Sequence, residues 1–271
     1  MGAWTMPVES DLRLASITEV HASRFAILRT TGSRSANKSH RARFCGPAQS
    51  VTFAQVHLRV LLRAGLRSAL FGYLIGTFPT ADIVARRAVG GPVDLRRTGS
   101  GNPGGANALK VLGRRAGYIV MTGDVAKGAV AGVGGRLIAG SLGSHAAATA
   151  AVVGHCFPVW TGFRGGKGVA TSVGQCLVTF PAYFPIDLGV AAAVAAVPRL
   201  RQRAFTATVA ASACWVAGGL WWWRRRLGNL WGPPAGPGLP ISAAISSAVI
   251  LNRFIAARST ATDVATDGAT R

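Results

Sequence analysis

Between Gly168 and Val197 the chain runs for thirty residues with one ionisable side chain, Asp187. As a single helix rising 1.5 Å per residue, that stretch would reach about 45 Å, well past a hydrocarbon core of about 30 Å. Pro181 and Pro185 interrupt it, because proline has no N–H to donate and its ring clashes with the preceding helical turn. The segment therefore reads as two short helices joined by a turn. Reading the rest of the 271 residues in the same way gives about seven apolar spans, at 67–85, 116–139, 143–160, 168–182, 184–198, 204–223 and 239–257. Several are short or broken by glycine and charge. Irregular backbone is tolerated at membrane depth only where it packs against protein or lines a cavity. The expected fold class is an all-α integral membrane protein of about seven short transmembrane helices with re-entrant or broken segments.

Composition excludes the main alternatives. The net charge is +21, yet only 14% of residues are charged and 49% are hydrophobic. A protein that coats nucleic acid would be far more polar at that charge, and a disordered basic chain would not be half apolar. The 35 glycines suit close helix contacts. Cys45, Cys156, Cys176 and Cys214 show no Cys-x-x-Cys spacing, so no metal and no redox pair is expected. Residues 1–60 read as a basic, disordered extension or as the product of a start codon placed upstream of the true one. Residues 61–258 read as the membrane domain, and 259–271 as a small, polar, disordered tail.

The loops set an orientation. Arg86, Arg87, Arg96, Arg97, Lys110, Arg114 and Arg115 lie between the first two spans, Arg164 and Lys167 near 161–167, and Arg199, Arg201 and Arg203 at 199–203. With seven spans these fall on one side, expected to be the cytoplasm. Arg224, Arg225 and Arg226 fall on the other side, next to Trp221, Trp222 and Trp223, which read as an interfacial aromatic belt.

Three segments carry chemistry. Thr98-Gly-Ser-Gly-Asn-Pro-Gly-Gly-Ala-Asn107, followed by Lys110, combines bare backbone with the neutral groups of Ser100, Asn102 and Asn107. Glycines such as Gly101 and Gly104 let amides approach a ligand, and with flanking Arg96 and Arg97 the loop reads as an anion nest. In the second segment, Gly154-His-Cys-Phe-Pro-Val-Trp-Thr-Gly-Phe-Arg-Gly-Gly-Lys-Gly-Val-Ala-Thr171, Lys167 stands among Gly165, Gly166 and Gly168. The spacing is wrong for a Walker A loop, and Gly168 stands where Ser or Thr would hold magnesium. A helix beginning there would add its positive end. The third is Asp124-Val-Ala-Lys-Gly128, where charges at i and i+3 share a helix face inside a membrane span. Asp82 has no such neighbour. No histidine has an aspartate five residues later, and no Gly-x-Ser-x-Gly elbow occurs. The pattern is rich in phosphate binders and poor in bases.

Together, GSGNPGGANALK, DVAKG and GHCFPVWTGFRGGKGVAT, in that order and spacing, resemble the PlsY family of bacterial membrane glycerol-3-phosphate acyltransferases over roughly residues 68–200. The resemblance implies acyl transfer from acyl phosphate to the sn-1 hydroxyl of glycerol 3-phosphate, giving 1-acyl-glycerol 3-phosphate (lysophosphatidic acid) for phospholipid synthesis. It implies a multi-pass enzyme of the bacterial inner membrane with its site facing the cytoplasm and no cofactor. Its partners would be glycerol 3-phosphate, acyl phosphate, membrane lipid and the soluble enzyme that makes acyl phosphate. The implied catalytic residues are Ser100, Asn102, His155 and Lys167. Gly101, Gly104, Asn107, Lys110, Lys127, Gly165, Gly166, Gly168 and Thr171 would bind substrate phosphates. A substrate phosphate could itself take the proton of the attacking hydroxyl.

The chain departs from the family pattern at several points. Gly105-Ala106 replaces Ala-Thr, and Lys110 replaces an arginine, exchanging a bidentate fork for a point charge. Arg201-Gln-Arg-Ala-Phe205 stands for an Arg-Tyr-x-Ser-Leu run, and Leu251-Asn-Arg-Phe254 for an Arg-His-x-x-Asn-Ile pattern. Two other readings compete. One is a diverged, inactive or altered paralogue serving as a binding or partner subunit. The other is a phosphate-ester transporter, which the lack of two related halves disfavours.

Overall fold

The computed structural model describes residues 47–88, 91–198 and 202–269, and all regular structure among them is helical. The expected extension falls largely on residues 1–46, outside the described residues, as do Arg199 and Arg201. In chain order the helices are α1 (Pro47–Gly76), α2 (Thr80–Arg86), α3 (Gly105–Val111), α4 (Arg114–Cys156), α5 (Val169–Thr179), α6 (Phe184–Ala196), α7 (Arg203–Arg225) and α8 (Gly238–Ala269). A 3-10 turn, Val159–Thr161, follows α4. Helix α1 begins inside the stretch expected as extension, and α8 continues through residues expected as tail.

Among the described residues, four stretches are long and apolar enough to cross a membrane: Leu58–Arg86, Arg114–Thr161, Arg203–Arg225 and Gly238–Ala257. Two shorter apolar helices, Val169–Thr179 and Phe184–Val194, complete the set. The first span is interrupted at Thr77–Pro79, where Pro79 offers no N–H and Thr77 Oγ1 donates to Leu74 O at 2.7 Å. Pro181 and Pro185 separate α5 from α6 as expected, with Pro185 tolerated in the first turn of α6.

Helix α4 is two antiparallel arms. Ala139 (φ −147°, ψ 33°) and Gly140 (φ 56°, ψ −139°) leave helical geometry. Gly140 takes a positive φ that a residue with a Cβ would resist. A Cβ on Gly132 would lie 3.4 Å from the Ala148 methyl. In a straight helix those positions would be about 24 Å apart. The chain therefore doubles back, and the spans expected at 116–139 and 143–160 are the two arms.

Small residues let the backbones close up. A Cβ on Gly128 would strike Thr171 O, and one on Gly174 would strike Val125 O, so α5 lies directly on the first arm of α4. Gly72 and Gly76 of α1 meet Ala147 and Ala151 of the second arm in the same way. In lipid, such packing and interhelical hydrogen bonds replace the hydrophobic drive available in water. Buried Gln175 of α5 supplies some of those bonds. It donates to Thr149 Oγ1 at 3.2 Å and accepts from Ser246 Oγ at 2.7 Å, tying α4, α5 and α8 together.

Candidate active site

The reversal in α4 assembles the site. Asp124 lies fifteen residues before Ala139, and His155 fifteen after Gly140, so the antiparallel arms bring them level. Lys127 Nζ donates to Asp124 Oδ1 at 2.8 Å, and His155 Nδ1 stands 3.5 Å from the same oxygen. The Asp124 and Lys127 side chains are 3% and 7% exposed, so this is a buried carboxylate shared between a lysine and a histidine. A buried charge is tolerable only with such partners.

A second ion pair closes the neighbouring wall. Arg96 engages Asp82 with both terminal nitrogens, Nη2 reaching Oδ2 at 3.1 Å. Asp82, which had no partner in sequence, finds it fourteen residues away. Arg96 Nε also donates to Arg164 O at 2.8 Å, which ties the glycine-rich loop to the loop that carries Lys167. Thr77, Thr80, Arg96, Asp124, Lys127 and His155 line one cleft.

Lys167 faces a different cleft, shared with Gln202, Arg203, Phe205, Phe254 and Ala257. Its Nζ sits 4.4 Å from the centre of the Phe254 ring. Burial, and then the Arg253 guanidinium, hold the Lys167 ammonium below the usual lysine range. Consecutive residues of one segment serve both clefts, since Gly165 and Gly166 line the first and Lys167 the second. Arg253 holds that segment. Its Nη2 donates to Gly165 O at 2.8 Å and its Nε to Gly166 O at 3.3 Å, while the guanidinium stacks on Phe157.

The expected residues divide in three. His155, Lys127, Gly165 and Gly166 meet in the first cleft and Lys167 faces the second. Ser100, Gly101 and Lys110 are exposed around the glycine-rich loop, and Asn102 is half-buried there. Neither cleft is lined by these four. The structure gives the remainder, and the amides of Gly165 and Gly166, partners within the protein. Asn107, expected to bind phosphate, donates to Leu95 O and Thr98 O and accepts the Ser100 N–H at 2.8 Å, so its amide shapes the loop. Gly104 is the extended residue before α3 and donates its N–H to Asn102 O. The Gly165 and Gly166 amides donate to Cys156 O and His155 O. These glycines serve close packing, because a Cβ on Gly166 would strike the His155 ring. Gly168 (φ +84°) turns the chain into α5, and a Cβ there would lie 2.8 Å from Cys156 Sγ. Thr171 is fully buried in the α4–α5 seam. Arg96, expected to attract phosphate, is committed to Asp82.

Three contacts go beyond the sequence reading: His155 sharing the Asp124 carboxylate with Lys127, Asp82 as the partner of Arg96, and Phe254 beneath Lys167. The intramembrane position of Asp124 was a signal. The other two depend on contacts between distant segments. Among the described residues no cluster of His, Cys, Asp and Glu could hold a metal ion.

A family model for glycerol-3-phosphate acyltransferases matches residues 66–259. A glycerol-3-phosphate acyltransferase of Exiguobacterium sibiricum is 49% identical over 119 residues, which are 44% of this chain and 57% of that protein. One of Rubrobacter xylanophilus is 46% identical over 125 residues, 44% of this chain and 58% of that protein. The chain thus spans a little over half the length of these curated relatives. Among solved structures, PlsY, an integral membrane glycerol 3-phosphate acyltransferase, is similar in its glycerol 3-phosphate form. The TM-score is 0.58 at 28% identity, covering 75% of this chain and 92% of that one. Its lysophosphatidic acid form gives a TM-score of 0.55 at 25% identity, with the same coverage.

Proposed function

The chain belongs to the glycerol-3-phosphate acyltransferase family, and we propose that it transfers an acyl group from acyl phosphate to the sn-1 hydroxyl of glycerol 3-phosphate. The product is lysophosphatidic acid, made for phospholipid synthesis. The observation that carries this reading is the pair of clefts lined by consecutive residues of the Gly165–Lys167 segment, one bearing Lys127 and His155 and the other Lys167 and Arg203. Two phosphorylated substrates need two cationic seats close together, and holding both turns a bimolecular step into one between neighbours. The solved relative captured with glycerol 3-phosphate and with lysophosphatidic acid supports the choice of substrate and product.

In the chemistry proposed, the glycerol hydroxyl attacks the acyl carbonyl, the carbon–oxygen bond to phosphate breaks, and inorganic phosphate leaves with the electron pair. Lys167 neutralises charge on a phosphate at the second cleft, where its ammonium is already partly stripped of water. Lys127 is held by Asp124 at the first, and His155 orients the bound anion. Ser100, Asn102 and Lys110 on the flanking loop complete the capture of the acyl donor. The hydroxyl proton passes to a substrate phosphate. The protein is a multi-pass membrane protein, proposed to lie in the bacterial inner membrane with both clefts open to the cytoplasm, where a soluble enzyme delivers acyl phosphate.

The test is incubation of purified protein with glycerol 3-phosphate and, separately, acyl phosphate, acyl-CoA and acylated carrier protein. Lysophosphatidic acid formed with acyl phosphate alone is the expected result. Product with acyl-CoA alone removes the donor assignment, and no product with any donor removes the enzymatic one. Lys167→Ala is expected to abolish transfer while the protein stays in the membrane.

A further inference from the structure

Two helices carry arginines spaced one bilayer apart. Arg115 and Arg136 in the first arm of α4 are 21 residues apart, as are Arg203 and Arg224 in α7. At 1.5 Å per residue each pair spans about 32 Å, close to the thickness of a hydrocarbon core. Arg203 lines the second cleft, and Arg115 lies in the first turn of the arm whose Gly117 packs on Leu109 of α3. Arg136 and Arg224 therefore mark the opposite interface, where positive charge is ordinarily sparse.

At that interface the structure gathers a cationic, aromatic surface. Arg136 Nη1 donates to Trp231 O at 2.6 Å, and Trp231 Nε1 donates to Leu177 O at the end of α5. The chain leaving α7 folds back on itself, with Leu227 N donating to Trp222 O and Trp222 Nε1 to Gly228 O. Arg224, Arg225, Arg226 and Arg136 thus flank one short loop. All four are exposed, and none pairs with a carboxylate among the described residues. Trp221 is 53% and Trp231 64% exposed beside them. A helix dipole favours cations near helix C-termini, but it leaves the guanidinium forks of Arg224, Arg225 and Arg226 to take phosphate oxygens in pairs, while Arg136, with Nη1 on Trp231 O, offers its remaining N–H groups.

We propose that Arg136, Arg224, Arg225 and Arg226, with Trp221 and Trp231, form a docking surface for anionic phospholipid headgroups in the leaflet opposite the clefts. The tryptophans sit at headgroup depth, where their rings are half apolar and half wet, and the arginines engage the lipid phosphates. This surface owes nothing to the acyl-transfer reading and stands or falls separately from it.

The experiment uses the full chain reconstituted into vesicles of equal phosphatidylglycerol and phosphatidylcholine, extracted gently, with retained lipids counted by native mass spectrometry. Wild-type protein is expected to retain phosphatidylglycerol about tenfold over phosphatidylcholine. The variant with R136Q, R224Q, R225Q and R226Q is expected to fall to near parity. R86Q with R87Q, at the cleft end, keeps the preference. Lysine at the four positions keeps a reduced preference, because charge remains and the fork is lost. No enrichment in wild type, or unchanged enrichment in the quadruple glutamine variant, overturns the proposal. So does displacement of the lipid by millimolar inorganic phosphate, which would mark a free-anion site. Should the quadruple variant fail to insert, wild type decides alone: enrichment unchanged at about 0.5 M salt would refute an electrostatic surface.

Discussion

Replacing Asp124 by alanine tests whether the buried cluster is held by charge. The substitution leaves Lys127, with its side chain 7% exposed, without the carboxylate 2.8 Å away. Stranding one member of a buried pair costs about 3–5 kcal/mol. For a protein of this size each kcal/mol moves the melting midpoint by about 2–4 °C, so a fall of roughly 6–20 °C is expected in a fixed detergent. The decisive comparison is the double variant Asp124→Ala, Lys127→Met, set against each of its single variants. Removing both charges together is close to neutral where removing one is not. The cycle should therefore show a coupling of about 2 kcal/mol or more. Stability restored without acyl transfer is the expected pattern, because Lys127 is needed at the cleft. A single-variant loss below about 1 kcal/mol, or strictly additive losses, would refute the pairing and with it the account of why two charges tolerate membrane depth.

Three further outcomes follow from the geometry. Since burial and Arg253 lower the Lys167 pKa, the folded protein releases that proton at a pH where an unfolded chain still holds it. Transfer should therefore fall on the alkaline side below the ordinary lysine range, while stability from this group rises across the same window, and Lys167→Arg should shift the rate limb upward. Arg253→Ala frees the Gly165 and Gly166 carbonyls and should raise KM for both substrates with little change in melting temperature. Arg253→Lys should not rescue it, because a point charge cannot span two carbonyls. Gly128→Leu places a side chain against Thr171 O and should cost about 1–3 kcal/mol or more in detergent unfolding, along with activity; a melting curve equal to wild type would contradict the close α4–α5 seam.

The apolar spans and their proline breaks were legible because hydropathy and the missing proline N–H are local properties. Pro181 and Pro185 divide α5 from α6 where the sequence reading placed the turn. The break at Thr77–Pro79 and the early start of α1 were not read, since mixed polarity there hides the helix. At the site, Asp124 and Lys127 could be paired from their spacing. For Asn107 and Arg96, residue type suggests hydrogen-bonding capacity, whereas the partners each takes depend on which groups folding places opposite them. Asn107 spends its amide on Leu95 O and Thr98 O, and Arg96 its fork on Asp82. No local pattern predicts that Phe254 lies under Lys167, because α8 reaches the loop from more than eighty residues away.

The doubling back of α4 at Ala139 and Gly140 also bears on how such a chain can change over time. Asp124 and His155 meet because the two arms are counted from one bend, so one residue added to either arm would carry its partner about 1.5 Å along the axis and about 100° around it. Side chains along the outer faces are free to drift, but the number of residues from Asp124 to His155 is not. An insertion or deletion between them, even one as small as a single alanine, would silence the cluster where many substitutions would leave it intact.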